Sequence, residues 1–223
     1  MTVSIILPCR NEEESLKSCI ELIKDILYQH NIKGEIIVSD SSIDNSPQIA
    51  RDQGVVLHKH DKSGYGTALL EGLYAAQGKY LFFADPDGSY DFREIPRFLN
   101  YLEEGYDFVI GDRFTGKIDA GAMPWSHRYI GNPLLSAIFR AFYRASIRDV
   151  HCGMRALPRR VLAKLDLRTT GMEFASEMVM KAVQHDLKIK ELSINYHQRK
   201  GRSKLRTFAD GWRHLSFMIS TQQ

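Results

Sequence analysis

Several features are missing from this 223-residue chain, and each absence narrows the reading. No window approaches about 18 uninterrupted apolar residues, so no membrane-spanning helix is expected. The opening residues, MTVSIILPCRNEEES, have no basic stretch before the apolar one and turn acidic at once, which argues against a secretory signal. Cysteine is scarce: Cys9, Cys19 and Cys152 make an odd count with no Cys-x-x-Cys spacing. That excludes a disulfide scaffold, speaks against a zinc site, and fits a reduced cytosolic compartment. Internal repeats and low-complexity tracts are absent, as is the Gly-x-Ser-x-Gly elbow that Ser-His-Asp hydrolysis would need. With 43% apolar and 26% charged residues the composition is that of an ordinary folded domain.

The net charge of +3 is unevenly placed. Between His197 and His214 stand Arg199, Lys200, Arg202, Lys204, Arg206 and Arg213 against Asp210 alone, so this segment carries +5 and the remainder −2. Such a cluster points to an anionic partner: phosphate groups, an anionic membrane surface or nucleic acid.

The first 112 residues alternate between strand and helix patterns. Short apolar runs at 3–7, 35–38, 55–57, 80–84 and 108–110 read as strands. Between them, helices are expected from Asn11 (as an N-cap, with Glu14 as reciprocal partner) through Leu27, over 46–53, from the Lys62-Ser63-Gly64-Tyr65-Gly66 loop to about Gln77, and around 93–104. The second half is predicted to contain a Gly- and Pro-bearing loop at 116–133, amphipathic helices at 130–143 and 171–184, and a strand at 189–194. The pattern predicts an α/β fold: one Rossmann-like, mostly parallel twisted sheet flanked by helices. Polar clusters at 8–12, 39–44 and 85–91 follow strand ends and should converge on the carboxyl edge of the sheet, where ligands bind in such folds.

Asp85-Pro86-Asp87 is the foremost candidate for chemistry. Two carboxylates one residue apart after a buried strand repel unless a divalent cation, which also bridges phosphate oxygens, lies between them. Asp-Pro and Asp-Gly are also ordinary turn pairs, so the motif alone is weak; Asp40 and Glu12 at neighbouring strand ends tip the balance toward a site. Gly64-x-Gly66 lacks the third glycine of a dinucleotide fingerprint and does not follow the first strand, which argues against a Rossmann oxidoreductase; its glycines suit a tight loop near a nucleotide. His58 and His60 share one side of a strand but have no further zinc ligands in view. For Trp125 and Trp212 packing is the default expectation, with sugar or lipid contact the alternative. The basic tail is open to three readings: a solvated charged segment, a nucleic-acid site, or a phosphate-binding loop. The run from Arg199 to Arg206 has no interleaved aromatics and no recognition module nearby, and Gly201-x-Ser203-Lys204 just after a strand favours the loop.

Taken in order, these motifs resemble those of family 2 glycosyltransferases of the GT-A fold, and within them the polyprenyl-phosphate sugar transferases of the dolichyl-phosphate mannosyltransferase kind. The likeness runs from Ser4 to about Lys204. Its parts are Ile5-Ile6-Leu7-Pro8-Cys9-Arg10-Asn11-Glu12; residues 36–44, where the family usually has Asp-Asp-Gly-Ser-x-Asp; Gly64-Tyr65-Gly66-Thr67-Ala68; Asp85-Pro86-Asp87; Gly111-Asp112-Arg113; Cys152-Gly153-Met154-Arg155-Ala156; Gly171-Met172-Glu173-Phe174; and 199–204. Two departures stand out: Ser39 replaces the first aspartate of the usual pair, and Ser41-Ser42 replaces a Gly-Ser turn.

The resemblance implies a single GT-A domain with a nucleotide-sugar half (1–115), an acceptor half (116–206) and a helical, membrane-proximal tail (207–223). It implies inverting, metal-dependent transfer from a nucleotide diphosphate sugar to a polyprenyl phosphate, by an enzyme peripheral to the inner face of the membrane and without a nucleic-acid partner. By the same resemblance Pro8, Asn11, Glu12, Asp40 and Gly66 hold the nucleotide end of the donor. Asp85, Asp87 and Ser89 hold Mg²⁺ or Mn²⁺, Arg155, Arg199 and Lys204 meet the donor phosphates, and Arg113, Arg128 and Asn132 meet the acceptor. Two rivals remain: a soluble transferase acting on a saccharide hydroxyl, with Asp149 or Glu173 as base, and a non-catalytic phosphate- or nucleic-acid-binding module.

Overall fold

A computed structural model describes residues 2–143, 145–201, 213–214 and 216–217. Seven strands form one sheet: β1 (Val3–Cys9), β2 (Gly34–Asp40), β3 (Val56–Lys59), β4 (Tyr80–Phe83), β5 (Phe108–Asp112), β6 (Arg155–Pro158) and β7 (Ile189–Ser193), in the spatial order β3-β2-β1-β4-β6-β5-β7. β1, β2 and β4 are buried along almost their whole length on both faces, which explains why they read as continuous apolar runs rather than as alternation. The covering helices are α1 (Leu16–Gln29), α2 (Ser46–Asp52), α3 (Tyr65–Ala75), α4 (Ile95–Glu103), α5 (Asn132–Tyr143), α6 (Arg159–Leu165) and α7 (Phe174–Gln184).

β6 is the exception in direction. It runs antiparallel between β4 and β5, pairing Phe83 with Arg155 on one side and Ile110 with Arg155 on the other. The second half of the chain thus completes the same sheet, since β7 then adds parallel to β5. This matches the expected single α/β domain with a mostly parallel GT-A sheet.

Two local expectations are corrected. Asn11 is not a helix cap: α1 starts at Leu16, and Asn11 lies four residues before Ser15 with φ of 56°. Trp125 is not buried in the core: 67% of its surface is exposed, just before a π-helical turn, His127–Gly131, that continues as α5. Trp212 lies outside the described residues.

Candidate active site

The carboxyl ends of β1 and β2 build the first wall. Their parallel register sets Pro8 beside Ser39 and Cys9 beside Asp40. At Asn11 the backbone takes a left-handed turn that an asparagine tolerates better than most residues. Its N–H donates to Ser42 Oγ (2.7 Å) and its side-chain Oδ1 accepts from the Ile43 N–H (2.9 Å), while the Glu12 N–H donates to Ser46 Oγ (3.0 Å). Asp40, fully buried, accepts from Ser42 Oγ (2.5 Å) and Lys59 Nζ (2.6 Å), and Lys59 also reaches the Ser42 carbonyl (2.5 Å). Ser42, in the stretch that departs from the family pattern, therefore ties both loops together. Lys59, Ser42 and His60 border an open pocket of about 610 Å³.

The second wall follows β4. Asp87 is buried; its Oδ1 accepts from the Ser89 N–H (2.9 Å) and hydroxyl (2.5 Å), and its Oδ2 lies 3.3 Å from Arg199 Nη2. The same Arg199 nitrogen is 3.7 Å from Glu12 Oε1, and Arg199 Nε is buried without a hydrogen-bond partner. Backbone bonds fasten the basic segment to this loop: the Lys200 N–H donates to the Asp87 carbonyl (2.8 Å) and the His197 N–H to that of Ser89 (2.9 Å). Asp85 sits beside them, hydrogen-bonded to the Tyr65 hydroxyl; burial first and the charge of Asp87 second push its carboxyl up to about 7. Gly153 is needed here, since a Cβ would come 3.1 Å from Asp85 Oδ2 and 3.1 Å from the Tyr90 hydroxyl, which accepts the Gly153 N–H (2.8 Å).

Whether this donor set suits a cation follows from its chemistry. Among the described residues no group of three or more His, Cys, Asp or Glu side chains is assembled for a metal. Two adjoining carboxylates, one of them made harder to ionise by burial and by its neighbour's charge, nevertheless fit Mg²⁺ or Mn²⁺, which need only one or two protein carboxylates when phosphate and water supply the rest. Ser89 is placed as a donor to Asp87.

The glycine loop packs against the second half. A Cβ on Gly64 would meet the Thr170 carbonyl at 2.2 Å and one on Gly66 the Thr169 carbonyl at 2.4 Å. The Gly66 N–H is spent on the Gly171 carbonyl (3.2 Å), so the structure gives Gly66 a contact with α7's approach. Next to it, Glu173 accepts the Gly171 N–H through Oε1 (3.1 Å), while its Oε2 is buried with no partner.

On the acceptor side, Arg113 grips Asp149 with Nε (2.7 Å) and Nη2 (2.8 Å), and its backbone N–H adds a third bond (3.1 Å). Both residues are buried, and the guanidinium lies 5.2 Å from the centre of the Tyr196 ring. Asp149 is thus fully engaged as a counterion. Arg155, also buried, donates to the carbonyls of Cys152 (2.8 Å), Ala175 (2.9 Å) and Val150 (2.8 Å), and burial lowers its basicity. Arg128 stacks over Tyr129 at 5.3 Å, and Asn132 Nδ2 lies 3.7 Å from Met123 Sδ. His127 is held below its usual value by burial and by the charge of Arg113. Lys204 lies outside the described residues. The carboxylate and asparagine positions were readable at strand ends and Arg199 in the basic run, whereas Lys59 and Tyr90 carry no motif, and Tyr65 sits in the glycine motif at a position that sequence reasoning left without a role.

Comparison with known proteins bears on the family and the fold. The chain is 43% identical over 219 residues to the low-salt glycan biosynthesis hexosyltransferase Agl6 of Haloferax volcanii, covering 98% of itself but 53% of that relative, so it spans about half of its length. It is 30% identical over 210 residues to a dolichyl-phosphate hexose transferase of the same organism, covering 94% of itself and 89% of the relative. Its fold is shared with glucosyl-3-phosphoglycerate synthase from Mycobacterium tuberculosis, solved with Mn²⁺, UDP and glucosyl-3-phosphoglycerate, at a TM-score of 0.78 and 22% identity over 98% of this chain and 79% of that one. Residues 4–166 match the model of glycosyl transferase family 2, and the chain belongs to that family.

Proposed function

We propose that the chain transfers a hexosyl group from a nucleotide diphosphate sugar to the phosphate of a polyprenyl (dolichyl-type) lipid, with inversion at the anomeric carbon. The observation that carries this reading is the convergence of Asp87 and Glu12 on Arg199 at the carboxyl edge of the sheet, with Asp85 one residue before Pro86 in the same loop. The name of the relative at 30% identity supports the acceptor class.

Pro8, Asn11, Glu12 and Asp40 form the nucleoside end, with Lys59 fixing Asp40. Asp85 and Asp87 would hold Mg²⁺ or Mn²⁺, which supplies neutralising charge to the departing diphosphate. Arg199 meets the same phosphates. An acceptor phosphate oxygen bonds to the anomeric carbon as the bond to the diphosphate oxygen breaks, and the electron pair leaves with the nucleoside diphosphate. A phosphate monoester has a second pKa of about 6 and is largely dianionic near neutrality, so it attacks without a protein base. That suits a site in which Asp149 is committed to Arg113. Arg128 and Asn132 flank the acceptor, and Arg155 shapes the wall through its carbonyl contacts. The enzyme acts at the inner face of a membrane; no helix among the described residues is long and apolar enough to cross one.

One observation favours a second reading, transfer to a saccharide hydroxyl: the partnerless Oε2 of Glu173 offers a base. A labelled-sugar assay with Mn²⁺, a panel of nucleotide sugars, polyprenyl phosphate and saccharide acceptors separates them. Label in the lipid is expected; label in saccharide alone overturns the proposal.

A further inference from the structure

The outer surface of α5 is apolar where a surface helix should be polar. Phe139 and Ser136 face the core, yet the solvent side carries Ile130, Leu134, Ala137 and Ala141, spaced four, three and four residues apart. Ile130 and Leu134 are 50% and 55% exposed. A helix apolar all round belongs in a protein interior or at an apolar boundary. At its N-terminal end Trp125 and Tyr129, also exposed, pack ring on ring at 5.8 Å, and Arg128 lies over Tyr129.

The charges around this ridge indicate what covers it. Residues 120–148 contain Arg128, Arg140, Arg144 and Arg148 and not one aspartate or glutamate, although the whole chain has 27 acidic residues. An apolar stripe, two amphipathic aromatics and a stretch of sequence whose charged side chains are all cationic are the features that seat a helix in the headgroup layer of an anionic bilayer.

We infer that the ridge from Trp125 to Ala141 is the surface by which the chain docks on an anionic lipid bilayer. The inference rests on the lipid-phosphate reading above and adds to it the face presented to the membrane. The ridge shares its π-helical turn and helix with Arg128 and Asn132, the residues proposed above to flank the acceptor, so docking would bring a lipid phosphate to that side of the site.

The test uses the full chain and vesicles of phosphatidylcholine with or without phosphatidylglycerol. Wild type is expected to float with the anionic vesicles only. Leu134→Glu with Ala137→Glu is expected to reduce that binding by about tenfold or more, while Ala137→Leu retains it. In a Trp212→Phe background, Trp125 fluorescence should shift to the blue on binding. The inference is overturned if wild type ignores anionic vesicles or if the double Glu variant binds as wild type does. It is equally overturned if the ridge proves to hold a second copy, seen as a dimer that Leu134→Glu dissolves without any vesicle binding. Transfer to a short, water-soluble prenyl phosphate keeps the two readings apart. If wild type transfers to that acceptor but ignores anionic vesicles, the ridge alone is defeated; if wild type binds the vesicles but transfers to no prenyl phosphate, the lipid-phosphate reading alone is defeated.

Discussion

The donor and acceptor walls of this site are built on opposite plans. On the donor wall, polar side chains bond to the backbone of neighbouring loops: Ser42 to Asn11, Ser46 to Glu12, Ser15 to the Pro86 carbonyl at 2.7 Å. Across the sheet the buried arginines find their partners within the chain, Arg113 in the Asp149 carboxylate and Arg155 in hydrogen bonds to three carbonyls, and the helix α5 turns apolar side chains to solvent. The first plan suits the proposed role of holding a hydrophilic nucleotide in one pose. The second leaves a surface whose partner comes from outside the chain.

The sharpest way to break this contrast is at the carboxylates. Asp87→Ala should lower transfer by about 10²–10³-fold or more and abolish the metal dependence of nucleotide binding, measured by calorimetry with and without Mn²⁺. Retained metal-dependent binding would remove the cation from the donor wall. Next in size, Asp149→Ala leaves Arg113 charged, buried and unpaired, and should cost about 3–5 kcal/mol in urea unfolding. Adding Arg113→Met should restore much of that loss; no recovery would mean that the pair is not the source of the effect.

A smaller change is expected from Ser42→Ala, about 1–3 kcal/mol, because the Asn11 N–H and Asp40 each lose a buried partner. Nucleotide affinity should fall with stability, whereas an unchanged affinity would show that the loop tie is not needed for binding. The gentlest test is pH. Burial, reinforced by His214, Arg113 and Arg155, holds His151 well below its usual range. The unfolded chain then takes up a proton at this histidine below about pH 6.5 and the folded chain does not, so stability should drop as pH falls through that value. Melting temperatures measured from about pH 8 down to about pH 5 should decline less in His151→Gln than in wild type; parallel curves would dismiss the effect.

Much of the donor half was legible because its strands are buried on both faces and announce themselves as apolar runs, each followed by a polar cluster. β6 was not. Arg155-Ala156-Leu157-Pro158 is four residues long, begins with a charge and ends with a proline, and its strand character comes from the slot between β4 and β5. The cap assigned to Asn11 failed for a related reason: asparagine suits a cap and a left-handed turn equally, and the contact with Ser42, 31 residues away, decided between them. In the site, acidic residues at strand ends could be found by position alone. Lys59 could not, because only the pairing of β2 with β3 places it against Asp40.

The Arg199 contact has a consequence for ligand order. Its guanidinium occupies Asp87 and Glu12 as a resident placeholder cation. A metal ion arriving alone would compete with it for Asp87 and leave it only the longer Glu12 contact, while a diphosphate arriving with the metal would give it a new anion. Metal and nucleotide should therefore each tighten the other's binding by the same factor, a reciprocity that linkage requires.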